Sequence, residues 1–153
     1  MGSLTSVSLP PQSADIITLI DVIEHMPNPD DDLRAVHRTV RNHGLLMIMT
    51  PNYDAHKLWG AKWHGYNASF EHLHFFGRKS LTRLLARWGF EVLYCRTFGM
   101  VDLLNYYLPN PSRSARVVKV LSWLGRGLSN KILVPLGLEH RLLMVARQTG
   151  RRS

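Results

Sequence analysis

The chain has 153 residues, enough for one domain with a real core and too few for two. Apolar residues make up 45% and charged residues 20%, the balance of an ordinary globular protein, and no apolar run approaches the roughly 20 residues that span a bilayer. The formal net charge of +8 points to nucleic acid, an anionic membrane surface or an acidic ligand, beside the plainer reading of a basic surface with an arginine-rich tail. Nucleic acid rests on charge alone, because no motif of a known reader is visible, and it is set aside. Cys95 is the only cysteine, so no internal disulfide is expected, which fits a reducing, cytoplasmic setting.

Residues 1–14 read as loop, from Ser3, Ser6, Ser8, Pro10, Pro11 and Ser13, and they lack the charged start and long apolar core of a secretory leader. Residues 15–22, DIITLIDV, are a short β-branched apolar run that predicts a strand buried on both faces. Asn28 then caps a helix. Pro29 suits its first position, and Asp30, Asp31 and Asp32 complement its positive end. Leu33, Val36 and Val40 share one face, and Asn42 and Gly44 supply the stop. Residues 44–52, GLLMIMTPN, predict a second buried strand ended by Pro51. A strand, a helix and a strand with short joins form a right-handed βαβ unit with parallel strands.

Residues 53–76 are irregular and rich in histidines and aromatics, including Trp59, Trp63, Tyr66, Phe70, Phe75 and Phe76. RKSLTRLLARWGF, residues 78–90, predicts a helix with Leu81, Leu84, Leu85 and Trp88 on one face and Gly89 at its end. EVLYCRTF (91–98) and RLLMVARQ (141–148) predict a third and a fourth strand, the latter followed by a frayed basic tail. Between them lie residues 99–138, where Arg116, Lys119, Arg126 and Lys131 are interleaved with apolar residues. Such an amphipathic helical insertion suits an anionic membrane surface, with Tyr106, Tyr107 and Trp123 at the interface, or equally a lid or a dimer face.

The order strand, helix, strand, aromatic loop, helix, strand, strand resembles the C-terminal half of a class I S-adenosylmethionine-dependent methyltransferase. ADIITLIDVIEHMPNPDDDLRAV is similar to the fourth strand and following helix of the ubiquinone-biosynthesis O-methyltransferases and their relatives. GLLMIMTPN is similar to their fifth strand, and FEHLHFFGRKSLTRLLARWGFEV to the loop and helix beyond it. The match covers residues 14–98, then skips the insertion at 99–138 and resumes with the last strand at 139–148. The expected fold is therefore α/β: a Rossmann-like methyltransferase sheet, its C-terminal half only, strands four to seven with their helices, in a single partial domain over 1–153.

The family opens with a strand and a glycine-rich loop that meets the cofactor, then a second strand ending in an acid that holds the ribose, the switch-point logic of dinucleotide folds. No such segment is found here. The close glycine pair Gly125 and Gly127 sits in the amphipathic segment, and only 14 residues precede Asp15. The resemblance thus implies methyl transfer from S-adenosylmethionine to a small-molecule or lipid-like acceptor, at oxygen, with the cofactor-binding half supplied elsewhere. The rival readings are a non-catalytic remnant or partner subunit that pairs with a complementary chain through an open sheet edge, a homodimer, or a peripheral module at the inner membrane face.

Three titratable groups, Asp21, Glu24 and His25, stand where a buried strand ends. By resemblance, the backbone at Ile20 and Asp21 borders the cofactor, and Asp21, Glu24 and His25 occupy the positions of a divalent-metal site, with Asp21 in place of the usual glutamate. Oxygen and imidazole ligands suit a hard or borderline ion, which would acidify a bound hydroxyl. The plainer alternative is that Glu24 and His25 only shape the turn. A second cluster holds Glu71, His72 and His74; in an extended segment the two histidines point the same way. Either His72 or His74 could take the acceptor's proton, since imidazole titrates near neutrality, or both could simply bond to backbone. Trp59, Trp63, Tyr66 and Phe70 could wall an apolar acceptor pocket or plug the core.

Overall fold

The computed structural model describes residues 9–67, 71–99, 131–132 and 134–150. Ala14–Ile20 forms strand β1 and Val40–Pro51 forms β2, paired in parallel and joined by helix α1, Pro29–Thr39. Helix α2, Arg78–Arg87, leads into β3, Phe90–Phe98. The last strand, β4 (Arg141–Gln148), runs antiparallel to both β2 and β3 and lies between them, so the sheet order is β1-β2-β4-β3.

One face of the sheet makes the core. Leu19 of β1, Leu46 and Ile48 of β2, and Leu142, Met144 and Ala146 of β4 are buried on it, at the spacing of two that sends alternate side chains to one side. Leu33 and Val36 of α1 and Leu81, Leu84 and Leu85 of α2 close over it at helical spacing. The two helices also meet outside the core. Asp30 accepts from Trp88 Nε1 at 2.7 Å and from Arg87 at 3.0 Å, and the Arg34 guanidinium lies 5.1 Å from the Trp88 ring centre.

The start of α1 follows its sequence signals: Asn28 accepts from the Asp31 N–H, and Pro29 opens the helix. Its end does not. The helix stops at Thr39 and Val40 already belongs to β2, because a β-branched residue extends readily into a strand. Ala14 pairs with Val40 and Ile16 with Leu45, so residues 41–44 bulge out beside Asp15. His43 takes a φ of 64° there, and a side chain on Gly44 would meet the Asp15 carbonyl at 2.9 Å. Asn42 and Gly44 therefore serve a bulge inside a strand, not a helix stop.

A second expectation is corrected in β1. The strand ends at Ile20, and it is not buried on both faces: Ile16 is 59% and Ile20 48% exposed. Among the described residues it pairs only with β2, and α1 and α2 cover only the face that carries Leu19. Apolar composition alone does not reveal whether both faces of a strand are covered.

The irregular stretch after β2 contains short helical turns at Tyr53–Ala55, His56–Trp59, Gly60–Lys62 and His64–Asn67. Most of the predicted insertion at 99–138, with Arg116, Lys119, Arg126, Tyr106, Tyr107 and Trp123, lies outside the described residues, as does Phe70; a short helical turn, Val134–Leu136, is described. Among the described residues no helix is long and apolar enough to cross a membrane.

Candidate active site at the carboxyl end of β1

Beyond Ile20 the chain turns sharply. Asp21 adopts a φ of 52°, a left-handed conformation that aspartate tolerates better than most residues, and its N–H reaches the Met49 carbonyl at 2.9 Å. Its carboxylate points to the start of β4, where Arg141 Nη2 lies 2.6 Å from both oxygens. This pair bridges across β2, which separates the two strands.

A single 3-10 turn, Ile23–His25, then carries Glu24 inward to 2% exposure. The Glu24 carbonyl accepts from the N–H groups of Leu73 and His74, at 2.8 and 3.1 Å, which lays residues 73–74 across the turn. Thr50 Oγ1 donates to Glu24 Oε2 at 3.0 Å. The other carboxylate oxygen, Oε1, is buried with no hydrogen-bond partner. Such an oxygen is costly to leave bare, so it marks a place where a cation or a donor is expected.

Two imidazoles converge on the same spot. His25 Nδ1 lies 3.0 Å from the Glu71 carbonyl and His72 Nδ1 lies 2.8 Å from the Gly65 carbonyl. A carbonyl can only accept, so each Nδ1 carries the proton and each Nε2 keeps its lone pair in the neutral ring. The rings sit 4.8 Å apart, centre to centre. One ligand atom from each of Glu24, His25 and His72 lies within 4.8 Å of the others. Imidazoles whose far nitrogen is held by a carbonyl, beside a carboxylate, are a common metal-ligand arrangement and serve equally well as proton acceptors.

The structure thus brings together Glu24, His25 and His72. It does not bring Asp21 into that group, since Arg141 engages its carboxylate. His74 also stands apart: its ring stacks on Phe76 with centres 5.9 Å apart, and its Nε2 is buried without a partner. Ile20 lies at the strand end with its side chain half exposed.

The aromatics fall into a satellite cluster rather than the main core. Trp63 is fully buried, edge-on to Tyr53, Tyr66 and Phe75 at 5.1–5.6 Å. The hydrogen bond with Tyr53 is the main influence holding the Tyr66 phenol above its ordinary range. Trp59 instead lies against His140, at 5.0 Å. Gly65 must be glycine, because a side chain there would fall 2.1 Å from the Trp63 ring. The packing of Trp63 therefore fixes the carbonyl that orients His72.

Thr50, Gly65 and Arg141 are site residues that the sequence reading passes over. Thr50 carries a visible signal, a polar side chain at an inward position of an apolar strand, which needs a buried partner. Arg141 has none, because its partner lies 120 positions away.

The sheet and the helices on its inner face are those of a class I S-adenosylmethionine-dependent methyltransferase fold. Residues 4–94 match the methyltransferase domain family, and the chain belongs to it. Solved structures agree on the fold. A methyltransferase from Haloferax volcanii, solved with the Trm112 methyltransferase activator, is 11% identical over 96% of this chain and 59% of its own, with a TM-score of 0.61. An S-adenosylmethionine-dependent methyltransferase from Thermotoga maritima is 14% identical over 96% of this chain and 61% of its own, also at 0.61. One from Archaeoglobus fulgidus is 18% identical over 94% and 62%, at 0.57. The chain therefore spans about three fifths of the length of these structures. No curated protein matches it in sequence.

Proposed function

We propose that this chain carries the acceptor side of an S-adenosylmethionine-dependent methyltransferase that acts on a hydroxyl of a small-molecule or lipid-like acceptor. The observation that carries this reading is the convergence of Glu24, His25 and His72 at the carboxyl end of β1, where open α/β sheets bind their ligands. In the reaction the acceptor oxygen attacks the methyl carbon of the donor; the O–C bond forms as the C–S bond breaks, and the hydroxyl proton must leave. In this reading the Nε2 of His25 or His72 accepts that proton, with His74 as the alternative base. The rest of the catalysis is positioning: the turn at Ile23–His25 and residues 73–74 hold the imidazoles and the carboxylate in one place.

The residues also fit a divalent metal, with Glu24, His25 and His72 as the groups that would hold it. A bound ion would supply a lowered pKa to an acceptor hydroxyl.

The donor's adenosine needs a glycine-rich loop and a ribose-binding acid, and we propose that these come from a complementary unit seated on β1. The outer edge of β1, unpaired among the described residues, and the exposed Ile16 and Ile20 on its uncovered face support this, and they also favour the second reading, a partner subunit that is not itself catalytic. Calorimetry on the 153-residue chain tests the division of labour. Binding of S-adenosylmethionine should be weak or undetectable, and micromolar affinity would overturn it.

A lipid-like acceptor draws its support from the basic amphipathic segment around Arg116 and Lys119, each such cation being worth about 1 kcal/mol near an anionic surface. The chain should co-sediment with anionic vesicles in a salt-sensitive way, and an Arg116→Glu, Lys119→Glu double variant should not. Equal sedimentation of both, or of neither, would leave the segment as a lid or dimer face.

A further inference from the structure

The reading of the cluster as a metal site leaves open which ion it takes, and any choice of ion rests on that reading. We infer that one ligand has been exchanged: Arg141 withholds Asp21, His72 takes its place, and the site selects a borderline ion of the zinc and cobalt kind over magnesium.

Arg141 opens β4, opposite Pro51 on one side and Phe98 on the other, so the sheet fixes its backbone. Its stem packs on Gly99, where a side chain would stand only 3.1 Å from Arg141 Cγ. From there its guanidinium meets both oxygens of Asp21 at 2.6 Å. The left-handed turn at Asp21 and its N–H bond to Met49 fix the partner in the same way. A carboxylate held by a guanidinium from a rigid strand is a poor candidate for a shared metal ligand, because the cation and the metal compete for the same lone pairs.

His72 stands in the vacated role. Its Nδ1–H is held by Gly65, which leaves Nε2 as a ligand, and Gly65 is in turn held by the fully buried Trp63. Glu24 contributes a second, independent sign. It is only 2% exposed, Thr50 occupies Oε2, and Oε1 has no partner. A desolvated carboxylate oxygen without a partner, on a residue grouped with two imidazoles, suits a cation.

The ligand chemistry then decides the ion. Magnesium takes oxygen ligands and keeps several waters, and imidazole suits it poorly. Two histidines and one glutamate are a frequent ligand set of catalytic zinc. With neutral imidazoles and one carboxylate, a divalent ion would keep one net positive charge. That surplus favours an acceptor that becomes an anion as its hydroxyl ionises.

The test is metal binding by the purified full chain, followed by calorimetry with zinc, cobalt(II) and magnesium chlorides and by the visible absorption bands of bound cobalt. Zinc and cobalt should bind about a hundredfold or more tighter than magnesium. His72→Ala and Thr50→Val should each weaken cobalt about ten- to a hundredfold and change its absorption bands. Asp21→Asn should leave both affinity and bands unchanged. Arg141→Met, which frees the Asp21 carboxylate, should narrow the gap between cobalt and magnesium. Thermal melts of each variant separate loss of the site from loss of the fold. Magnesium binding as tight as cobalt, or an Asp21→Asn loss equal to that of His72→Ala, would overturn the exchange while leaving the metal reading intact. Binding of none of the three ions would overturn both, without touching methyl transfer by a histidine base.

Discussion

Glu24→Gln should lower methyl transfer by roughly two to four orders of magnitude, measured in the form of the protein that transfers methyl groups, with little change in affinity for the donor. Glutamine has the same length and can still accept from Thr50, so the turn and its bonds to residues 73–74 survive. What disappears is the charge on a carboxylate that is 2% exposed, together with its one unpartnered oxygen. His25→Ala should act in the same direction, because it removes a lone pair from the same spot. The melting temperature of the Glu24→Gln protein should not fall, since a buried charge with a single neutral partner stabilises nothing. A loss of donor affinity with turnover unchanged would move the site to the adenosine side and defeat the assignment.

The largest effect on stability is expected at Asn52. This residue is fully buried at the end of β2 and donates from Nδ2 to the carbonyls of Gly137 and Glu139, at 2.9 and 2.6 Å. Its Oδ1 accepts from the Asp54 N–H, and its own N–H meets the His140 carbonyl. Asn52→Leu keeps the branched shape but removes the side-chain partner of two buried carbonyls, Gly137 and Glu139, and of the part-buried Asp54 N–H. Each costs about 1–3 kcal/mol, partly recovered by water, so the variant should lose about 3 kcal/mol in denaturant melts and roughly 10 °C in melting temperature. It should also loosen the residues before Arg141, and with them the contact to Asp21. A loss below about 1 kcal/mol would mean that the strand ends hold the loop without Asn52.

Local chemistry was the legible part of this molecule. The cap at Asn28, the apolar faces of α1 and α2, the stop at Gly89 with its φ of 72°, and β4 from Arg141 to Gln148 all follow from residues close together in the chain. The errors fall where neighbours far along the chain decide. Gly44 signals a turn, but only the register against β1 shows that the turn is a bulge within a strand. The exposure of Ile16 depends on what lies beside β1, which its own residues do not encode. At the site, the spacing of Asp21, Glu24 and His25 marks the right turn. That His72 joins Glu24 and His25, while Asp21 goes to Arg141, depends on contacts that span 47 and 120 positions; the first figure is the separation of residues 25 and 72. No local pattern carries them.

The placement of β4 between β2 and β3 bears on how the chain reaches its native state. On the ribosome, β3 emerges before β4, its partner among the described strands, and β2 emerges with a free edge on the β4 side. Both must wait for residues 141–148, so about forty residues are synthesised while two apolar edges stand open. The nascent chain is then most exposed to mispairing with other chains. Chaperone dependence should be concentrated in this interval, and slowing translation within it should lower the yield of folded protein, whereas slowing before β2 should not.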